Sequence, residues 1–387
     1  MNILTTIILI VTLLYALSSF LVLYGLVRCR PARVSQKPFV SVLIAARNEE
    51  ERLPACLQSL LNSSYPGAEF EIIVIDDRST DRTRLIAENF ARQNHHVRVV
   101  PIHQRLDNLS GKASALCQGM EHARGEIILM TDADCRVPPN WMARMASYFA
   151  PGVGLVGGFT LLSDGDKKAS AFVKIQTLDW IYLLTIGAGA TGLGRPVSII
   201  GNNFAFRRAA YEAVGGYQKI GFSIIEDFAL MRAIDEQTDW QVVFPLDPQL
   251  VVTSEPAKTW REFYEQRQRW AAGGKEVGWL ARSFMLAAFL GHLGCFVAAC
   301  ISISLAASCF FILTSADFLL LWQSTRRLVP RTAGKLLRIF PLFEIYYVLY
   351  SFFFAPTVLL PATVRWKGVS YRWNFRGNIK QVKEISR

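Results

Sequence analysis

The stretch Glu126-Ile127-Ile128-Leu129-Met130-Thr131-Asp132-Ala133-Asp134 decides the fold class of this chain. A short unbroken apolar run is the pattern of a strand buried on both faces, as in a parallel sheet covered by helices. This run ends on two carboxylates. Three similar runs precede it, at 40–46, 70–75 and 97–102. Leu53, Leu57, Leu60 and Leu61 follow the first run at helical spacing, and a polar helix is expected near 81–93. Strands alternating with helices predict β-α-β units and an α/β fold. The polar signals gather where the strands end: Arg47-Asn48-Glu49, Asp76-Asp77 and Asp132-Ala133-Asp134. Ligands of open α/β sheets bind beyond the carboxyl ends of the strands, so this edge is the candidate site. No G-x-G-x-x-G follows the first strand, and Gly111-Lys112-Ala113 is only a fragment of a phosphate-binding loop, in the wrong context.

Outward from this core the chain becomes apolar. Of its 387 residues 51% are hydrophobic. Residues 3–27 carry no charge, and roughly 20 apolar residues span a bilayer as a helix. An N-terminal anchor is expected over 1–27, because a signal peptide would show a basic start and a small-residue cleavage site. A soluble domain is expected over 39–282, a membrane region over 283–363 and a basic tail over 364–387. The net charge is +11. Its clusters flank apolar runs: Arg28, Arg30, Arg33 and Lys37; then Arg326, Arg327, Arg331, Lys335 and Arg338; then the tail. That placement favours anionic headgroups and the positive-inside effect over nucleic acid. It predicts a multi-pass cell-membrane protein with its catalytic domain in the cytosol. Residues 284–323 suit either one span plus an interfacial piece or a hairpin of two spans. Residues 339–363, with Pro341, Pro356 and Pro361, suit a kinked span or a re-entrant hairpin. Residues 170–194 are expected to form an interfacial helix and then a flexible Gly-rich loop, with a buried core helix as the alternative. Seven cysteines without a C-x-x-C pair indicate reduced thiols and no zinc site.

Each motif carries a chemical reading and a plainer one. Asp132 and Asp134, at i and i+2, can face one cation of the kind that prefers oxygen ligands, Mg2+ or Mn2+; the alternative is a solvated acidic turn. Asp77 can accept hydrogen bonds from a base or a ribose, and the alternative is a helix cap at Ser79 or Thr80; the two are compatible, since Thr80 and Asp81 suit capping. Glu226-Asp227 opens an expected helix over 228–234, so Asp227 is either a base for an acceptor hydroxyl or an N-cap and partner of the helix dipole. In Gln266-Arg267-Gln268-Arg269-Trp270, Arg269 can clamp a diphosphate and Trp270 offers a flat face. The alternative is an amphipathic helix on the membrane, anchored by Trp260, Phe263, Trp270 and Trp279.

Taken in order, Ala46-Arg47-Asn48-Glu49, Asp76-Asp77, Gly111-Lys112-Ala113, Asp132-Ala133-Asp134, Gly201-Asn202-Asn203, Glu226-Asp227 and Gln266-x-x-Arg269-Trp270 resemble the membrane-bound family 2 inverting glycosyltransferases. The resemblance spans residues 40 to about 275. Its closing motif is shared by synthases of cellulose, chitin and hyaluronan and by ceramide glucosyltransferase. It implies a glycosyltransferase A-type domain with a mixed, mainly parallel sheet, plus transmembrane helices. It also implies roles. Glu49 and Asp77 would hold uridine, with Lys112 near the nucleotide. Asp134 would be the main metal ligand, and Asp132 would lie near the metal or donor sugar. Asp227 would be the base of a single displacement from a UDP-sugar. Arg269 would stabilise the diphosphate, and Glu226, Gln266 and Trp270 would face the acceptor. Two departures stand out: Ala45 replaces a frequent proline, and the membrane region is short for a polymer-secreting channel. A lipid acceptor is therefore expected ahead of a processive polysaccharide synthase. A membrane scaffold with a degenerate domain is disfavoured because every expected carboxylate is present.

Overall fold

The computed structural model describes residues 2–384 apart from 30–33, 36, 67–68, 164–168, 274–277, 355–362, 367–368 and 374–378. Arg30, Arg33, Pro356 and Pro361 thus lie outside the described residues. A long helix, α1 (Ile3–Arg28), leads into β1 (Val40–Ala46), α2 (Leu53–Leu61), β2 (Phe70–Asp76), α3 (Thr83–Gln93), β3 (Val97–Pro101), α4 (Gly111–Met120) and β4 (Ile127–Thr131). Then come β5 (Cys135–Arg136), α5 (Trp141–Ala146), β6 (Val153–Gly157), β7 (Thr160–Leu162), α6 (Ala171–Gly192), β8 (Asn203–Arg207), α7 (Arg208–Ala213), α8 (Gly216–Ile220) and α9 (Glu226–Gln237). The chain continues through β9 (Gln241–Val243), β10 (Val252–Ser254), α10 (Trp260–Gly273), α11 (Trp279–Ala299), α12 (Ile303–Leu328), α13 (Ala333–Leu337) and α14 (Phe340–Phe354). It closes on β11 (Thr363–Trp366), β12 (Val369–Trp373) and β13 (Ile379–Glu384).

Seven strands form the main sheet in the order β3-β2-β1-β4-β8-β6-β9. The first four are parallel, and β8 runs antiparallel to β4 and β6. The sheet is mixed and mainly parallel, as expected. All of β2 and β4 is buried. Alternate side chains serve opposite faces: Leu43, Ile73, Ile75, Ile128 and Met130 join one core, while Val42, Ile44, Ile72, Val74, Ile127 and Leu129 join the other. The apolar run of each strand is therefore shared between two packed layers.

α1, α11 and α12 are each long and apolar enough to cross a membrane. α11 and α12 together cover 284–323, which corresponds to the hairpin of two helices. α14 is shorter and apolar.

Two expectations need correction. Residues 170–194 hold no interfacial helix with a flexible loop. α6 runs unbroken through Gly187, Gly189 and Gly192 and is largely buried. Its glycines serve close packing: a Cβ on Gly192 would stand 2.0 Å from Gly25 O, and one on Gly189 2.5 Å from Val22 O. Small residues let α1 and α6 touch through their backbones. Second, the surface-anchor reading of α10 fails for Phe263, which is buried, and for Trp270, half-buried against Trp180 at 5.3 Å; Trp260 and Trp279 alone of the four are exposed. The tail region, in addition, contains a three-stranded antiparallel sheet, β11-β12-β13. Its alternation is weak, so it reads as an undivided polar segment in sequence.

Candidate active site

The loops after β1 and β2 are laced into one edge. Asn48 Oδ1 accepts from the Thr80 amide at 2.8 Å, and Thr83 Oγ1 accepts from the Glu49 amide at 2.7 Å. Asn48 and Arg78 are the non-glycine residues with positive φ among the described residues, each at 56°. Such conformations persist where surrounding structure over-determines them, often at functional sites. Glu49 is buried, with Arg52 3.2 Å from its Oε2. Asp77 is buried beside it in the neighbouring loop, with Arg78 Nε 3.0 Å from its Oδ1. Neither Ser79 nor Thr80 caps α3, which starts at Thr83 with Asp81 Oδ1 accepting from the Thr83 amide at 2.9 Å. Asp77 is thereby left to the edge itself.

The next strand end carries the charge. Lys112, in the first turn of α4, places Nζ 2.7 Å from Asp132 Oδ1 and 3.1 Å from Glu226 Oε1. One ammonium therefore joins the end of β4 to the start of α9. Its side chain and that of Asp132 remain about a third exposed, at 32% and 35%, so solutes can reach them. Lys112 thus stands between two carboxylates. Asp134 accepts from Cys135 Sγ at 3.3 Å. Burial, reinforced by the charges of Asp134 and Asp132, pushes the Cys135 and Cys56 thiols up. Protonated thiols are poor metal ligands, so the donors offered here are carboxylate oxygens, a set that fits Mg2+ or Mn2+.

Asp227 follows Glu226 in the first turn of α9 and is buried. Its Oδ1 accepts from the Phe228 amide at 2.8 Å, so it does serve the helix start. Its Oδ2 faces Gly201, where an added Cβ would stand 2.7 Å away. Only a glycine lets the backbone pass that close to the carboxylate. Burial and then the charge of Glu226 push Asp227 up to about 7, while Lys112, the Phe228 amide and Arg269 pull it back. A carboxyl poised near neutrality suits proton abstraction. Tyr217, from α8, feels the charges of both Glu226 and Asp227, and its buried hydroxyl has no hydrogen-bond partner among the described residues.

Residues 41–215 match the model of "Glycosyl transferase family 2". The chain carries a family 2 glycosyltransferase domain. It is 30% identical over 271 residues to "Probable glycosyltransferase YdaM" of Bacillus subtilis, covering 65% of this chain and 60% of that one. It is 28% identical over 256 residues to "Beta-monoglucosyldiacylglycerol synthase" of Nostoc sp., covering 65% of this chain and 53% of the relative. The chain thus spans little more than half the length of these curated relatives. Among solved structures it is similar to "Mannosyltransferase PcManGT from Pyrobaculum calidifontis in complex with GDP-Man and Mn2+". That match has a TM-score of 0.54 and 18% identity, covering 91% of this chain and 99% of the other. It supports the glycosyltransferase A-type fold.

Glu49, Asp77, Lys112, Asp132 and Asp134, inside the matched residues, fall on one sheet edge with Glu226 and Asp227, which follow them. The Q-x-x-R-W helix splits its two arginines. Arg269 lies near enough for its charge to act on Asp227. Arg267 turns away into a fully buried ion pair with Asp179 of α6, Nη1 to Oδ2 2.5 Å, and lies over the Trp270 ring at 4.3 Å. Gln266 Oε1 is buried without a hydrogen-bond partner among the described residues. Sequence reasoning missed Asp179, Arg267 and Tyr217. A lone Asp in the apolar α6 is the one signal that pointed to the first.

Proposed function

We propose that this chain transfers a sugar from a nucleoside-diphosphate sugar, with uridine as the expected base, to a hydroxyl of a membrane lipid, inverting the anomeric carbon. The observation that carries the reading is the Lys112 bridge. It sets the D-x-D carboxylate and the E-D carboxylates around one point, with Asp227 buried behind it and held near neutral pKa.

Asp134, with Asp132, would hold a divalent cation. When bound, such an ion neutralises charge developing on a departing diphosphate. Glu49 and Asp77 accept hydrogen bonds from the nucleoside. Lys112 orients Asp132 and Glu226. Asp227 Oδ2 takes the proton of the acceptor hydroxyl as that oxygen attacks the sugar. Arg269 supplies a second positive charge beside the reacting groups. Trp270, packed at a tilt against Trp180, forms an aromatic wall for the acceptor.

The lipid acceptor is supported by α6, which connects the domain to the apolar helices α1, α12 and α14, and by a relative named for diacylglycerol glucosylation. The cytosolic orientation rests on the basic residues that follow α1. Membranes containing the protein, incubated with radiolabelled UDP-glucose, UDP-galactose, UDP-N-acetylglucosamine and GDP-mannose, should yield label in the organic phase. Label confined to an aqueous high-mass polymer would replace this reading by a polysaccharide synthase.

A further inference from the structure

The apolar helices enclose a second polar cluster, away from the sheet edge. His292 of α11, Asp317 of α12 and Glu344 of α14 are 1%, 0% and 3% exposed. One ligand atom from each lies within 4.8 Å of the others. Three helices thus each bring a single ionisable group to one interior point. His292 and Asp317 sit near the middles of their helices, where a charged side chain in a bilayer is costly and marks function or pairing.

The hydrogen bonds around the cluster orient it. His292 Nδ1 lies 2.8 Å from the Ala288 carbonyl, to which it donates, so the Nε2 lone pair points inward. Asp317 Oδ1 accepts from the Tyr15 hydroxyl of α1 and, at 2.7 Å, from the Tyr182 hydroxyl of α6. Glu344 Oε1 accepts from Thr314 Oγ1 at 3.2 Å. Other atoms of the same groups are left over: His292 Nε2, Asp317 Oδ2 and Glu344 Oε2 are buried without hydrogen-bond partners among the described residues. Each group is thus fixed through one atom and keeps a second acceptor atom buried and unpartnered among the described residues. That is how metal-binding histidines and carboxylates are oriented by outer partners.

The spacing of the three groups is slightly wider than that of bound ligands, and their charge suits a cation. His292 Nε2 stands 3.7 Å from Glu344 Oε1, too far for a hydrogen bond. Ligands of a tetrahedral ion bound at roughly 2.0–2.2 Å stand roughly 3.3–3.6 Å apart. A dication also neutralises two carboxylates that otherwise share an apolar interior with no Lys or Arg paired to them among the described residues.

We infer that His292, Asp317 and Glu344 bind one divalent transition-metal ion of the zinc class, with one imidazole and two carboxylate ligands. It fastens α11, α12 and α14 together, while Tyr15 and Tyr182 tie α1 and α6 to the same point. Cysteine spacing gave no sign of it, because the ligands are a histidine and two acids scattered over 53 residues of apolar sequence (292 to 344).

The test separates this ion from the one expected at Asp134. Asp132 and Asp134 are both changed to Asn, the full chain is purified in detergent without added metal, and zinc-class metals are counted by mass spectrometry. One ion per chain is expected, and His292→Ala in the same background should lower the count at least tenfold. Because His292→Ala can disturb folding, a second measurement uses the His292-intact protein after chelation. Adding CoCl2 should produce visible absorption that ZnCl2 abolishes, and ZnCl2 alone should raise the melting midpoint. A metal-free protein with no cobalt spectrum and no response to ZnCl2 overturns the proposal, leaving a cluster neutralised by protons.

Discussion

Two regions of this molecule hold buried charge, and they hold it differently. At the sheet edge, Lys112 is shared between Asp132 and Glu226 and stays a third exposed, so its partners can be exchanged for a substrate's charges. In the helical layer, Arg267 and Asp179 are sealed at 0% and 1% exposure and wrapped by Phe263 and Trp270. Under the proposed function the edge serves turnover, while the helical pair docks α10 onto α6. The first should therefore fail in rate and the second in stability.

The largest expected effect comes from Asp227→Asn. Losing a general base costs roughly 10²–10⁴ in kcat. The melting midpoint should not fall, since Asn still accepts from the Phe228 amide and removes a carboxylate that burial disfavours. Steady-state transfer and thermal melting on the same preparation check both halves. Arg267→Ala should do the reverse in kind. Leaving Asp179 buried and unpaired costs about 3–5 kcal/mol, read by denaturation in detergent. Replacing both members by apolar residues should recover much of that loss, which a double-mutant cycle measures.

The smallest effect is the most diagnostic. Asp227 must be ionised to accept a proton, so kcat/KM should fall about tenfold per unit as pH drops below about 7 and level off above it. Stability carries the opposite sign. The folded pKa lies above the ordinary 3.8, so the ionised form weakens the folded state. The stability advantage of Asp227→Asn over the native chain should grow as pH climbs from about 4 to about 7 and then stay constant.

What was legible in sequence follows the same division. The sheet edge could be read because parallel strands are continuous apolar runs and their ends are where polar residues collect. Val40–Ala46 was delimited to the residue, and Asp76, Asp132 and Glu226 all fall at element ends. The helical layer was opaque. Gly187, Gly189 and Gly192 look like a loop because sequence does not show that α1 lies against them. Arg267 and Arg269 are indistinguishable until helix phase sends one to Asp179 and the other toward Asp227. His292, Asp317 and Glu344 are single polar residues in separate apolar runs, and only packing brings them together.

The central claim is that Asp227 deprotonates an acceptor hydroxyl in a single displacement on a sugar nucleotide. The most direct test is the anomeric configuration of the glycolipid made by the purified chain from an α-linked UDP-sugar, read from the H1–H2 coupling in its proton NMR spectrum. The account predicts a β-glycoside. An α-glycoside would contradict it.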